Sequence, residues 1–454
     1  MQLQRFNPII NDTCQERNME FWSIQLHPND RTKFPPEKLL NLLRDKQIIG
    51  IGAEWKNDGG QPKHFQEKIQ RGDIVAVRDG GTPVALVKVI GPCEENNAPT
   101  DECWFDLIRR IEILSIEPPV SYKNRYFNMT YRSLQIEKNE EAFVHFWYNR
   151  VEEEKRMKDL KQLLEKCHNL ILTGAPGTGK SFLAMQLADA LTEDSREPPP
   201  SKRHSAFVQF HPSYDYTDFV EGLRPISSDK DGNIGFERKD GIFKEFCKNA
   251  ISLPNQNYVF IIDEINRGDI AKIFGELFFA IDPGYRNAVN RIPIKTQYQN
   301  LIQDPNDPFK DGFYIPDNVY IIGTMNDIDR NVESMDFAVR RRFTWKQIAP
   351  EDTQDAILKD LGAVTVEEAK ERMNRLNKAI REEPQLGGNF CIGAAYFKNI
   401  DDTPEKWDNL WNYHLAPLLA EYVRGLPDAG NMMVNFKAEY NKEKQTDANI
   451  SAQR

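Results

Sequence analysis

No run of about 18 apolar residues occurs in this 454-residue chain, so no segment reads as a helix that spans a bilayer, and the mean hydropathy of -0.62 agrees. The opening residues Met1-Gln2-Leu3-Gln4-Arg5-Phe6-Asn7-Pro8 lack the apolar core of a secretory signal. No membrane partner and a cytoplasmic location are therefore expected. Cysteine is sparse and scattered: Cys14, Cys93, Cys103, Cys167, Cys247 and Cys391 contain no C-x-x-C pair, and the 7 histidines do not cluster to complete a zinc site. A disulfide framework is excluded and reduced thiols are expected. Net basic charge is also missing. The formal charge of -10 argues against a generally basic nucleic-acid binder, although residues 1–150 hold 20 Lys+Arg against 21 Asp+Glu and leave 39 against 48 for the remainder.

What is present suggests several domains, since single cores seldom grow beyond about 250 to 300 residues. From Phe21 to Ile113 the pattern is β-rich, with apolar runs at Phe21–Ile24, Ile48–Ile51, Asp73–Arg78 and Pro83–Ile90. Asp79-Gly80-Gly81 between the last two makes a hairpin candidate. We expect a small β-barrel-like α+β domain over 1–135 and a helical linker over 136–168. From 169 to 350, apolar runs at Leu170–Thr173, Ala206–Phe210, Val259–Asp263, Val319–Thr324 and Phe343–Ile348 alternate with helical segments. That alternation implies a five-stranded parallel sheet with helices on both faces, an α/β domain. Ser227–Lys239 reads as a hairpin around Asp231-Gly232, and Gly284–Pro316 as a polar insertion. A helical lid is expected over 351–436 and a polar tail over 437–454.

Gly174-Ala175-Pro176-Gly177-Thr178-Gly179-Lys180-Ser181 matches the phosphate-binding G-x-x-x-x-G-K-[ST] pattern, between a strand run and a helical one. Such a loop wraps phosphates with backbone N–H groups, while Lys180 reaches the β and γ phosphates and the Ser181 hydroxyl ligates Mg²⁺. Val259-Phe260-Ile261-Ile262-Asp263-Glu264 is an apolar strand ending in two acids. There Asp263 is expected to hold Mg²⁺ through water and Glu264 to polarise the attacking water, at the strand end where open α/β sheets bind ligands. Asn326 closes the next apolar strand and is placed to hydrogen-bond the γ-phosphate or its water. Arg340-Arg341-Arg342 ends a helical stretch. A basic helix C-terminus also suits the helix dipole, but an arginine finger reaching a neighbouring subunit is the sharper expectation. A P-loop nucleoside triphosphatase of the AAA+ class follows, with Mg²⁺ and GTP or ATP.

The stretches His211–Pro225, Asp263-Glu264-Ile265-Asn266-Arg267-Gly268, Ile270–Leu277 and Gly323-Thr324-Met325-Asn326 resemble the McrB family of motor subunits from modified-cytosine restriction systems. So do Ile392-Gly393-Ala394-Ala395-Tyr396-Phe397 and Leu410–Leu419, which extends the resemblance from Asn169 to Asp428. It implies a homo-oligomeric, hexameric ring that acts on DNA carrying modified bases and couples to a separate McrC-type nuclease subunit. By position, Asn326, Asp329 and Arg330 match the family's Met-Asn-x-x-Asp-Arg signature, and Arg340 and Arg341 its finger region. Asp327-Ile328 stand where the GTP-using member has Thr-Ala, which leaves GTP or ATP open.

The N-terminal order of Trp22, Gly50-Ile51-Gly52, Trp55 and Ile69–Val75 is similar to EVE or PUA-like domains. Those domains hold modified bases in aromatic pockets, which implies base flipping and stacking, with Trp22, Trp55 and Trp104 as candidates. Tryptophans in a small β-domain also serve as core. Two other functions fit the motifs: a MoxR-like chaperone ATPase with a protein-binding N-terminal domain, and a regulatory NTPase that binds RNA.

Overall fold

Strand periodicity organises both halves of the chain. A computed structural model describes residues 19–26, 36–52, 61–79, 82–100, 102–119, 138–192, 204–226, 235–286, 291–328, 337–400 and 403–442. It divides into two compact units, Met1–Arg156 and Met157–Arg454.

In the first unit, β1 (Phe21–Gln25), α1 (Pro36–Asn41), β2 (Ile48–Ile51), α2 (Gln61–Glu67), β3 (Ile74–Asp79), β4 (Thr82–Glu95) and β5 (Leu107–Ser115) build a mixed sheet in the order β1-β3-β4-β5-β2. β1 runs parallel to β3, and the other pairs are antiparallel. The β-rich reading holds, and β3 with β4 forms the expected hairpin, closing at Asp79 and Thr82. Among the described residues β1 and β2 form the two edges of this sheet. Side chains alternate along β3: Val75 and Val77 join one core with Trp22, Phe65 and Phe105, while Ile74 and Ala76 join another. That second core is completed by Phe143, Val144 and Trp147 of α3 (Lys138–Cys167). The first half of the segment expected to be a helical linker thus packs into this unit's core, and the unit runs to Arg156.

The second unit opens with the end of α3, whose Leu160 and Leu164 are buried. It continues through β6 (Asn169–Gly174), α4 (Lys180–Thr192), β7 (Ser205–Gln209), α5 (Tyr216–Phe219), β8 (Glu221–Ile226), β9 (Gly235–Asp240), α6 (Ile242–Ser252), β10 (Tyr258–Asp263), α7 (Ile270–Phe274), β11 (Val319–Asn326), α8 (Phe337–Arg340) and β12 (Thr344–Gln347). The five expected strands form one parallel sheet in the order β12-β6-β11-β10-β7. Alternation again sorts the faces. Ile171, Phe260, Ile262 and Ile321 face a core with α6 and α7, and Leu170, Leu172, Val259, Ile261 and Ile322 face one with α3 and α4. Burial on both faces explains why these strands read as continuous apolar runs.

β8 and β9 form an antiparallel hairpin whose first strand begins at Glu221, earlier than the sequence suggested, and whose Asp231-Gly232 turn lies outside the described residues. The polar insertion proves to be half interior. Phe309, Phe313 and Ile315 fill the core beside α6, and the Arg286 guanidinium, 2% exposed, donates to the carbonyls of Ile281 and Val319 and to Asn169 Oδ1. Burial pushes the Arg286 pKa down to about 10, so it stays a cation satisfied by oxygen acceptors.

The lid follows as α9 (Pro350–Leu358), α10 (Ala363–Glu382), α11 (Lys406–Leu410), α12 (Ala416–Tyr422) and α13 (Ala429–Asn441) around its own core. α13 continues past residue 436, and its Tyr440 is fully buried, with its hydroxyl donating to the Trp407 carbonyl. The beginning of the expected polar tail is therefore lid.

Candidate nucleotide site

Three glycines of the loop between β6 and α4 take positive φ: Gly174, Gly177 and Gly179. At Gly177 two demands coincide. Its φ of 77° disfavours any side chain, and a Cβ there would lie 2.7 Å from the Tyr396 ring. Gly393 approaches from the lid so closely that a Cβ on it would sit 2.0 Å from the Gly177 carbonyl carbon. This contact is a backbone clasp. The Gly393 N–H donates to the Pro176 carbonyl at 3.0 Å, and the Ala395 N–H donates to the Gly177 carbonyl at 3.0 Å. From α9, the Thr353 hydroxyl donates to the Thr178 carbonyl at 2.6 Å. The lid thereby holds three consecutive carbonyls of the loop. Gly393 belonged to a lid run quoted for its family likeness, with no role at the loop given to it, and Thr353 was not singled out, because a lone hydroxyl in a helical region carries no motif.

The Lys180 side chain is 6% exposed and donates to the carbonyls of Gly174 at 3.1 Å and Ala175 at 2.8 Å. Next to it the Ser181 hydroxyl donates to Asp263 Oδ1 at 2.5 Å, and the Thr324 hydroxyl donates to the same oxygen at 2.6 Å. The parallel register of β10 between β7 and β11 brings Asp263 and Thr324 to the same end of the sheet as the loop. The adjacent Glu264 has φ 51° and ψ 46°, a left-handed conformation that costs a non-glycine residue about 1 to 3 kcal/mol and tends to mark functional sites. Its Oε1 accepts from Asn326 Nδ2 at 2.8 Å, and its Oε2 lies 3.4 Å from Arg267 Nε. Asp327, whose amide donates to the Gly174 carbonyl, is half-buried. Burial raises its pKa, with the nearby Lys180 charge opposing.

The structure thus brings together Gly174 through Ser181, Asp263, Glu264 and Asn326. Asp329 and Arg330 lie outside the described residues. The three arginines separate by environment. Arg342 is turned inward, its guanidinium 4.5 Å from the Phe278 ring and donating to the Ala338 carbonyl. Arg340 is exposed beside the Trp345 ring at 5.3 Å, and Arg341 is exposed.

The donor set suits a hard cation bound with phosphates: a hydroxyl and a carboxylate already 2.5 Å apart below a loop rich in backbone N–H groups. Among the described residues no group of three or more His, Cys, Asp or Glu forms a metal cage. A Mg²⁺ held by one or two protein oxygens and substrate phosphates needs none.

Residues 169–343 match the AAA domain of the dynein-related subfamily. Residues 368–429 match the McrB alpha-helical lid domain. This is a P-loop NTPase domain of the AAA type with a McrB-type lid. The chain is 40% identical over 274 residues to the Type IV methyl-directed restriction enzyme EcoKMcrB subunit of Escherichia coli (strain K12), across 58% of this chain and 55% of that protein. It is 27% identical over 210 residues to the Type II restriction enzyme BsuMI component YdiS of Bacillus subtilis (strain 168), across 42% of this chain and 59% of that one. The chain therefore spans a little over half the length of each of these relatives.

In the first unit the described candidates for an aromatic pocket, Trp22 and Trp104, lie in different surroundings. Trp22 is 7% exposed, and its indole N–H donates to Asp73 Oδ2 at 2.9 Å, a carboxylate that also accepts from the amides of Glu20 and Gln70. Trp22 is a core residue with its polar edge satisfied and its ring packed into the core. Gly50 is a packing glycine, since a Cβ there would lie 2.5 Å from the Phe105 ring. Trp55 lies outside the described residues. Trp104 is half-buried at the edge of the same core, with its indole N–H bonded to the Leu26 carbonyl at 3.1 Å. No helix among the described residues is long and apolar enough to cross a membrane.

Proposed function

We propose that the chain is a Mg²⁺-dependent nucleoside triphosphatase, using GTP or ATP, that serves as the motor subunit of a modification-dependent restriction system. The observation that carries the catalytic reading is the convergence on one strand end of Asp263, gripped by Ser181 and Thr324, and Glu264, gripped by Asn326. When bound, Mg²⁺ supplies positive charge against the transferring phosphoryl group. Ser181 and Asp263 would hold it. Lys180, moving from the loop carbonyls, would reach the terminal phosphates, and Glu264 with Asn326 would orient the attacking water. Exchange of Lys180 between carbonyls and phosphates is inexpensive because both are oxygen acceptors.

The restriction role rests on the McrB-type lid and on the two relatives, both named as restriction components. These favour it over a chaperone or an RNA-binding regulator. In this reading a homo-oligomeric ring places the exposed Arg341 or Arg340 of one subunit at the next subunit's nucleotide, and a separate McrC-type nuclease cuts DNA in the cytoplasm. The first unit would read DNA carrying modified bases, with the half-buried Trp104 among its candidates.

Mixing Arg341→Ala subunits with Glu264→Gln subunits tests the shared site. Each variant alone is inactive, and mixed rings regain activity because some interfaces pair an intact arginine with an intact glutamate. If mixtures of Arg341→Ala, and likewise of Arg340→Ala, regain nothing at any ratio, the arginines do not act across an interface.

A further inference from the structure

We propose that Thr324 is a positioning residue that sets both acids of the nucleotide site through one hydroxyl. The proposal rests on the nucleoside triphosphatase reading above. Thr324 sits on β11 beside the end of β10 and is 2% exposed. Its Oγ1 donates to Asp263 Oδ1 at 2.6 Å and accepts the Glu264 backbone N–H at 3.2 Å. Donor and acceptor capacities of the hydroxyl are thus both in use, one on each acid.

The two bonds do different things. The bond to Asp263 fixes which carboxylate oxygen faces Ser181, since Oδ1 accepts from both hydroxyls. Two donors converging on a single oxygen hold the carboxylate in one orientation. The bond from the Glu264 amide satisfies a backbone group at a left-handed turn, φ 51°, directly after β10. That turn aims the Glu264 side chain at Asn326, where Oε1 accepts at 2.8 Å. A residue at the Thr324 position without a hydroxyl would leave the amide with no acceptor from β11 and let the strained turn relax.

Size alone does not explain the residue. Valine would fill the same volume on the strand and suits β structure at least as well as threonine, but it offers neither bond. Serine offers both bonds without the methyl group. A positioning role and a packing role therefore predict opposite rankings of the two substitutions.

The test uses the full chain with Thr324→Val, Thr324→Ala and Thr324→Ser. The readouts are Mn²⁺ affinity, by electron paramagnetic resonance with a non-hydrolysable GTP or ATP analogue, analogue binding in EDTA, and turnover. Groups that orient a metal ligand typically contribute about 10- to 100-fold in metal affinity or activity. Thr324→Val and Thr324→Ala should lose about that factor in both Mn²⁺ affinity and turnover, while analogue binding in EDTA is retained and Thr324→Ser stays close to wild type. If Thr324→Val fails to fold, the Ala and Ser pair makes the same comparison. Wild-type behaviour of the Val or Ala variant, or a loss in Thr324→Ser equal to theirs, would overturn the proposal. A wild-type chain that binds neither analogue would instead overturn the nucleotide-site reading, and the proposal with it.

Discussion

Glu221 and Asp263 are carboxylates at opposite ends of strands in the same unit, and they are satisfied in different ways. Glu221 is fully buried and meets cations. Its Oε2 lies 2.6 Å from Lys244 Nζ and 2.8 Å from Arg238 Nη1, and its Oε1 accepts the Tyr298 amide at 2.7 Å. Lys248 extends the network, bridging Asp240 and Asp307. Asp263 is half-buried and meets the hydroxyls of Ser181 and Thr324. The first arrangement neutralises charge within the fold and ties the β8–β9 hairpin to α6 and to the 291–316 segment. The second leaves negative charge beside a phosphate loop for a cation to meet. A buried carboxylate ringed by cations is structural; one ringed by hydroxyls has room for metal chemistry.

The largest effect expected from this contrast is at Glu264. Glu264→Gln should lower turnover by about 10²- to 10⁴-fold, the range for general-base catalysis, while nucleotide binding and the unfolding midpoint stay as in wild type. Phosphate release, equilibrium binding and denaturant unfolding read the three quantities. Loss of folding together with activity would break the contrast by making Glu264 structural.

Lys244→Met should do the reverse. Removing one partner of a buried ion pair costs about 3 to 5 kcal/mol, because Glu221 is left charged in the interior. Denaturant unfolding measures it. The double variant Lys244→Met with Glu221→Leu should recover part of the loss, since a matched apolar pair leaves no stranded charge. An unchanged midpoint in the single variant would mean that Arg238 alone satisfies Glu221.

The smallest effect is pH dependence. Burial alone would raise the pKa values of Glu221 and Asp240, but hydrogen bonds and charge from Lys244 on the first, and from Lys248 and Arg238 on the second, hold both below the ordinary carboxylate range. Their stabilisation is therefore fully present above the unfolded-state pKa of about 4 and is lost as pH falls through the lowered folded values. Unfolding midpoints taken from neutral to acid pH should fall below about pH 4, and less steeply in Glu221→Gln.

Legibility follows the same division. The phosphate loop, the two acids and Asn326 were readable because their chemistry demands fixed spacing along the chain, and the five parallel strands because burial on both faces makes them uniformly apolar. Glu221 and Tyr216 belonged to a run quoted only for its family likeness. The structure shows their work: Tyr216 donates to Glu276 Oε1 at 2.6 Å, and Glu221 anchors the ion network. Arg286 was misplaced in a polar loop because a buried cation satisfied by backbone carbonyls leaves no pattern in composition. Trp22 was a candidate for a base pocket with a core role left open, because its partner, Asp73, lies 51 residues away. Long-range pairing of this kind is what sequence spacing does not carry.

The most direct test of the central claim is single-turnover hydrolysis of GTP and of ATP by the full chain, with Mg²⁺ and with EDTA, alongside Glu264→Gln. The account predicts phosphate release from at least one of the two nucleotides that requires Mg²⁺ and is lost in Glu264→Gln although the nucleotide still binds. Binding without phosphate release from either nucleotide, or equal release by the Glu264→Gln chain, would contradict it.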